Sequence, residues 1–72
     1  MIALIDPVAV ETFRIQHEYL EMPGLRLTVA QAARLFGVSI ADATASLSAL
    51  EQEGFLRASV DPHGPVFYSL RI

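Results

Sequence analysis

Apolar residues along this chain follow two different spacings. Before Gly54 they recur at steps of three and four residues, which predicts helices, and after Gly54 they alternate, which predicts strands. The inward stripe predicted for the first helix consists of Val10, Phe13, His17 and Leu20. Ile15 and Tyr19 would then lie on a second face of that helix, with Glu11, where a partner could dock. The other aromatic residues are expected in the core and in hairpin packing.

Capping residues and chain breakers mark the boundaries of three predicted helices. Asp6 and Pro7 open the first helix, since an aspartate caps free amides and a proline fits the first turn. Thr28 opens the second helix and Ser39 the third, and each begins a capping-box pattern that is completed three residues later. The predicted stops are Met22-Pro23-Gly24, Gly37 and Gly54.

The third helix and the segment after it supply the rest of the predicted core. The helix runs from Ile40 to about Glu53, and its predicted inward residues are Ala43, Leu47 and Leu50. Two alternating segments then form a hairpin around the turn Asp61–Pro65. The residues predicted to share a face are Leu56, Ala58 and Val60 on the first strand, and Tyr68, Leu70 and Ile72 on the second. Leu25-Arg26-Leu27 is a short extended segment.

A motif of helix, glycine turn and helix occupies the middle of the chain. It consists of Thr28-Val29-Ala30-Gln31-Ala32-Ala33-Arg34-Leu35-Phe36-Gly37-Val38-Ser39, then Leu47, Leu50-Glu51 and Gly54-Phe55-Leu56. This arrangement resembles the winged helix-turn-helix of bacterial repressors of the MarR and related types. The resemblance implies an α+β fold, three helices followed by an antiparallel β-hairpin wing, in a single domain over residues 1–72. The helix-turn-helix would occupy about 28–53 and the wing hairpin about 55–72.

The resemblance also implies DNA binding by a homodimeric module that is similar to transcription regulators. Such modules insert the second helix of the motif into the major groove of double-stranded DNA. Ser39–Glu53 is therefore the implied recognition helix, and Asp61–Pro65 is the implied wing that approaches the DNA backbone or minor groove. The residues that we predict to contact DNA are Arg26, Arg34, Ser39, Thr44, Ser48, Arg57 and His63.

The charges of the chain favour a different use of the same fold. Eight acidic residues stand against five cations, all of them arginine, for a net charge of -3. No cation lies between Arg34 and Arg57, although phosphate neutralisation is a main source of DNA affinity. Charged residues make up only 18% of the chain, against about 25% in an average domain. The alternative prediction is a winged helix that docks a protein partner or a second copy of itself.

Residues with catalytic or metal-binding chemistry are sparse in this sequence. The chain has no cysteine, and its two histidines lie on separate predicted elements, so no metal site is predicted. No serine has an adjacent base and no glycine-rich phosphate loop is present, so we predict neither an enzyme nor a bound cofactor. Neither a run of about 18 apolar residues nor a signal peptide is evident, which predicts a cytoplasmic protein with no membrane partner.

Overall fold

The computed structural model of the chain describes residues 7–71, with side chains from Val10 onward. Its elements in chain order are helix α1 (Pro7–Glu21), strand β1 (Arg26–Leu27), helix α2 (Val29–Phe36), helix α3 (Ile40–Gln52), strand β2 (Leu56–Val60) and strand β3 (Val66–Leu70). The three helices and the antiparallel sheet form an α+β fold with the arrangement of a winged helix, which confirms the predicted fold class. The predicted cap Asp6 and strand residue Ile72 lie outside the described residues.

Side-chain caps and a left-handed glycine fix the turn between α2 and α3 at the predicted positions. The Gln31 amide donates to Thr28 Oγ1 at 3.1 Å, and the Thr28 amide donates to Gln31 Oε1 at 3.0 Å, which completes a capping box. Gly37 ends α2 with a φ of 67°, a conformation that a Cβ resists. Ser39 Oγ then accepts a hydrogen bond from the Asp42 amide at 3.0 Å and caps α3.

The strands form a sheet in the order β1-β3-β2, with both pairs antiparallel. Tyr68 of the central strand pairs with Leu27 on one side and Ala58 on the other. Leu56 is fully buried under the helices. Val60 lies four residues further along the strand on the same face of the sheet and is 75% exposed. The hairpin therefore extends beyond the core as it approaches the wing turn, and only its base packs against the helices.

The core lies between α3 and the elements around it. Ala43, Leu47 and Leu50 are fully buried, which confirms the predicted inner face of α3. The other members of the buried cluster are Ile15, Tyr19, Leu27, Ala32, Ala33, Phe36 and Leu56. Ser46 is also fully buried on α3, and its hydroxyl oxygen has no hydrogen-bond partner among the described residues.

The predicted orientation of α1 is wrong. The four residues expected to face the core are exposed: Val10, Phe13, His17 and Leu20. Ile15 and Tyr19, which were expected on an outer face, are fully buried instead, and Glu11 beside them is half-buried. Both stripes recur at helical spacing, so periodicity fits either orientation, and the stripe with more apolar residues is the one that faces away from the core.

A specific contact of Tyr19 explains which side of α1 packs inward. The Tyr19 hydroxyl donates a hydrogen bond of 2.7 Å to the Tyr68 carbonyl oxygen on β3. A tyrosine is buried favourably where its ring meets apolar side chains and its hydroxyl finds a partner. The hydrogen bond joins the first helix to the central strand, and it requires Tyr19 and its neighbour Ile15 to lie inside.

Candidate functional site

The polar groups predicted to read DNA from α3 are engaged with the helix itself. Ser39 Oγ accepts from the Asp42 amide, and Thr44 Oγ1 donates to the Ile40 carbonyl oxygen at 2.8 Å. Ser48, one turn further along the helix, is half-buried. Both bonded hydroxyls are therefore engaged within α3, and the exposed face that remains carries small side chains together with Ile40, which is 55% exposed.

The charge on α3 is negative. Asp42, Glu51 and the following Glu53 are exposed, and no cation lies on this helix. Asp42 lies in the first turn, where a carboxylate stabilises the positive end of the helix dipole. Arg34 is exposed in the last turn of α2, where its charge stabilises the negative end of that helix. Asp42 and Arg34 therefore stabilise helix ends, and the negative charge of α3 repels a polyanion.

The tip of the wing carries no arginine. His63 lies in the turn after β2, where its backbone amide donates to Asp61 Oδ1 at 2.9 Å. The Gly64 amide closes the same turn by donating to the Asp61 carbonyl oxygen at 3.2 Å. The His63 side chain is exposed.

Two of the predicted DNA contacts come together on the outer face of the sheet. Arg26 and Arg57 both pair with Ser69 on the central strand, so the three residues form one row. Adjacent strands lie about 4.8 Å apart, which puts the two arginine Cα atoms roughly 10 Å apart. The Arg26 guanidinium lies 4.6 Å from the centroid of the Phe67 ring. An open groove of about 440 Å³ beside Arg57 is lined by Glu51, Arg57, Ala58 and Arg71. We call Arg26, Arg57 and Arg71 the arginine face.

The exposed side of α1 carries large apolar residues. Together with a neighbour on α2 they form a surface that we call the apolar face, which consists of Val10, Phe13, His17, Leu20 and Leu35. Phe13 is 70% exposed, Leu20 59% and Leu35 54%. At 3.6 residues per turn, the four α1 members fall within an arc of about 80° that is centred opposite the buried Ile15. The apolar face therefore points directly away from the core of this chain.

Polar pairs border the apolar face. An open hollow of about 290 Å³ between α1 and α2 is lined by Phe13, Arg14, His17, Glu18, Leu35 and Phe36. The Arg14 guanidinium contacts Glu11 at 2.9 Å and lies 6.0 Å from the centroid of the Phe36 ring. His17 Nδ1 lies 3.1 Å from Glu21 Oε1, one turn away. An apolar centre with charged pairs at its border has the composition of a protein interface.

Sequence reasoning missed two residues that contribute to these surfaces, the exposed Leu35 and the half-buried Phe67. The capping box at Thr28 fixes where α2 begins. The buried residues of that helix are Ala32, Ala33 and Phe36. A single inward stripe through those residues leaves Leu35 on the outside. Likewise, Phe67 and Tyr68 are consecutive in a strand and so must lie on opposite faces of the sheet. Both positions were therefore accessible from the pattern.

The buried hydroxyl of Tyr19 is structural. Burial raises the pKa of Tyr19 well above its ordinary value of 10.0, and the Leu27 backbone offsets only part of this effect. The side chain is therefore a neutral phenol that links α1 to the sheet. Across residues 7–71, no three histidine, aspartate or glutamate side chains are grouped so as to hold a metal ion.

Comparison with known proteins gives no assignment. No protein-family model and no curated protein matches the chain. Within the described part of the chain, no helix combines the length and the apolar character needed to cross a bilayer. The surfaces described above are therefore the basis on which a function can be argued.

Proposed function

We propose that this winged helix is a protein-interaction module that docks a protein through its apolar face. The observation that carries the proposal is the 70% exposure of Phe13, which shares one side of α1 with Leu20 and lines a hollow with Leu35. Exposed apolar side chains that are grouped and surrounded by polar residues mark interaction sites. A solvated helix face, in contrast, carries polar residues. The negative charge of α3, the helix that DNA-binding winged helices insert into the major groove, supports the same choice.

Site-specific photocrosslinking in cells tests this function. A benzophenone amino acid is placed at Phe13, and in a matched variant at Val60, which is also apolar and even more exposed but lies near the wing turn. We expect a covalent adduct with a protein from position 13 and none from position 60. The mass of the adduct identifies whether the captured chain is a second copy or a different protein. Absence of any adduct from position 13 contradicts the proposed function.

DNA binding, with a role in transcription regulation, is a second candidate function because the arginine face offers a set of cations that α3 lacks. Arg26 and Arg57 lie in one row, and Arg71 lines the neighbouring groove. Arginine side chains that neutralise phosphates give affinity without sequence readout. On this proposal the sheet supplies the contacts to the DNA backbone. Of the residues predicted from sequence, only Arg26 and Arg57 belong to this set.

Titration of labelled duplex DNA at about 50 mM and about 200 mM salt tests the second candidate, since phosphate contacts weaken as salt rises. We expect the double variant Arg26→Ala/Arg57→Ala to lose affinity at both concentrations and to show a smaller salt dependence. Arg34→Ala on α2 is the matched control, with one charge removed away from the sheet. An affinity that depends on Arg34 but not on the sheet pair contradicts this candidate, as does the absence of binding.

That the protein is not an enzyme, that it takes no cofactor and that it works in the cytoplasm all stay predictions. Kinship with MarR-type repressors also stays a proposal, and it is supported by the turn at Gly37 and by the order of the helices and strands.

A further inference from the structure

We infer that the hollow between α1 and α2 binds a cationic side chain, an arginine of the protein that docks on the apolar face. This inference rests on the proposed function and names the chemistry of the partner. The open hollow of about 290 Å³ is lined by Phe13, Arg14, His17, Glu18, Leu35 and Phe36. This volume lies just below the range of pockets that hold whole small molecules, about 300–1,000 Å³, and suits a single side chain.

The acceptor in the hollow is the Glu18 carboxylate. Glu18 is half-buried, and the Arg14 guanidinium one turn before it contacts Glu11 instead, at 2.9 and 3.1 Å. His17 likewise contacts Glu21, at 3.1 Å. Glu18 therefore forms no ion pair with any residue that the structure describes. A guanidinium from outside supplies the charged hydrogen-bond donors that this carboxylate lacks.

The aromatic wall of the hollow favours a guanidinium over other cations. A planar guanidinium stacks on an aromatic ring, and its apolar stem packs along apolar side chains. The Arg14 guanidinium already lies 6.0 Å from the centroid of the Phe36 ring. The neighbouring ring of Phe13 is 70% exposed and so offers a second surface of the same kind. An arginine of the partner thus meets a carboxylate and an open ring in one recess.

The net charge of α1 favours a basic segment of a different protein over a second copy. The helix carries three carboxylates, on Glu11, Glu18 and Glu21, and one guanidinium, on Arg14. The whole chain has a net charge of -3. Two copies therefore repel each other at long range, whereas a basic segment is attracted to this side of the molecule. The occupant that fits is a basic segment with apolar residues against the apolar face and an arginine in the hollow.

Titration with n-butylguanidinium, followed by two-dimensional NMR of the backbone amides, tests the hollow directly. This probe has the apolar stem and the charged end of an arginine side chain. n-Butylurea has nearly the same shape without the charge and is the matched ligand. We expect n-butylguanidinium at millimolar concentrations to shift the amides of residues 13–18 and of Leu35, and n-butylurea to shift them much less. Equal shifts from the two ligands overturn the role of the carboxylate.

Two substitutions with effects of opposite sign separate a binding role of Glu18 from a structural one. Glu18→Gln keeps the shape of the side chain and should raise the dissociation constant of n-butylguanidinium about threefold or more. Arg14→Gln removes a competing guanidinium and should lower it about twofold. Glu53→Gln, at the exposed end of α3, is the matched control and should leave it unchanged. Circular dichroism verifies that each variant is folded. A dissociation constant that Glu18→Gln leaves unchanged overturns the inference.

The photocrosslink from residue 13 extends the test to the partner. Mass spectrometry of the digested adduct locates the captured segment, and we expect an arginine within one helical turn of the crosslinked residue. The yield of the adduct should fall in Glu18→Gln and not in Glu53→Gln. An adduct whose yield is the same in both variants retains the proposed function and overturns the arginine in the hollow. Absence of any adduct, in contrast, contradicts the proposed function itself.

Discussion

Helices α1 and α3 pack against each other, yet they distribute their residues in opposite ways. α3 buries Leu47 fully and exposes alanines, hydroxyls and carboxylates, with Ile40 in its first turn as its one large exposed apolar residue. It even buries Ser46, whose hydroxyl has no partner among the described residues. α1 buries Tyr19 but leaves Phe13, a larger apolar side chain than any on α3, 70% exposed. Three large apolar side chains are thus exposed on α1, Val10, Phe13 and Leu20, against one on α3, Ile40.

This difference concerns the outer side of α1, where large apolar side chains are exposed. A helix that is apolar on one side only is a surface helix, whereas one that is apolar on opposite sides is a buried helix. In α1, Ile15 and the centre of the apolar face lie on opposite sides, so this helix carries apolar residues on both. Its inner side is covered by this chain, whereas its outer side is exposed.

The largest effect that we predict is a loss of stability, and it should differ between the two helices because their leucines differ in burial. Leu47→Ala on α3 removes a fully buried side chain and should lower the free energy of unfolding by about 3 kcal/mol. Leu20→Ala on α1 removes the same atoms from a side chain that is 59% exposed, and should change it by no more than about 0.5 kcal/mol. Urea denaturation at a concentration where the protein is monomeric measures both. Equal losses from the two variants would show that α1 packs its outer side within one chain.

A smaller effect with a pH signature is predicted for the contact that orients α1. Tyr19→Phe removes the hydrogen bond to the Tyr68 carbonyl oxygen and should cost about 1.5 kcal/mol near neutral pH. Burial raises the pKa of Tyr19 in the folded state. Its stabilising contribution is therefore complete below the unfolded value of 10.0 and is lost as the pH rises beyond it, by about 1.4 kcal/mol per pH unit.

The difference between the natural chain and Tyr19→Phe should therefore shrink above about pH 10 and nearly close by about pH 11. The other tyrosine is common to both proteins and cancels in the comparison. Unfolding curves at intervals from neutral to alkaline pH measure the difference. If it stays constant throughout, Tyr19 ionises equally in the folded and unfolded chains, and the buried position of its hydroxyl is contradicted.

Local signals in the sequence predicted α2, α3 and their turn well, because each signal is completed within a few residues. Only neighbouring residues are needed to form the capping box of Thr28 and Gln31, the left-handed turn at Gly37 and the cap at Ser39. The orientation of α1 depends instead on Tyr68, 49 residues further along the chain. Spacing within the helix carries no information about that contact. The arginine face could not be predicted from the sequence either, because Arg26 and Arg57 come into one row only through the register of the central strand.

The smallest effect that we predict is a gain, and it concerns the polar residue that α3 buries. Ser46→Ala removes a hydroxyl that has no partner among the described residues and puts a better helix former in its place. We expect the free energy of unfolding to rise by about 1 kcal/mol. Ser48→Ala, on the half-buried side of the same helix, is the matched control and should gain only the propensity difference of about 0.5 kcal/mol. A loss of stability in Ser46→Ala, measured by urea denaturation, would mean that the hydroxyl is hydrogen-bonded after all. α3 would then bury a hydrogen-bonded hydroxyl, as α1 does with Tyr19, and the two helices would differ less in how they contact the core.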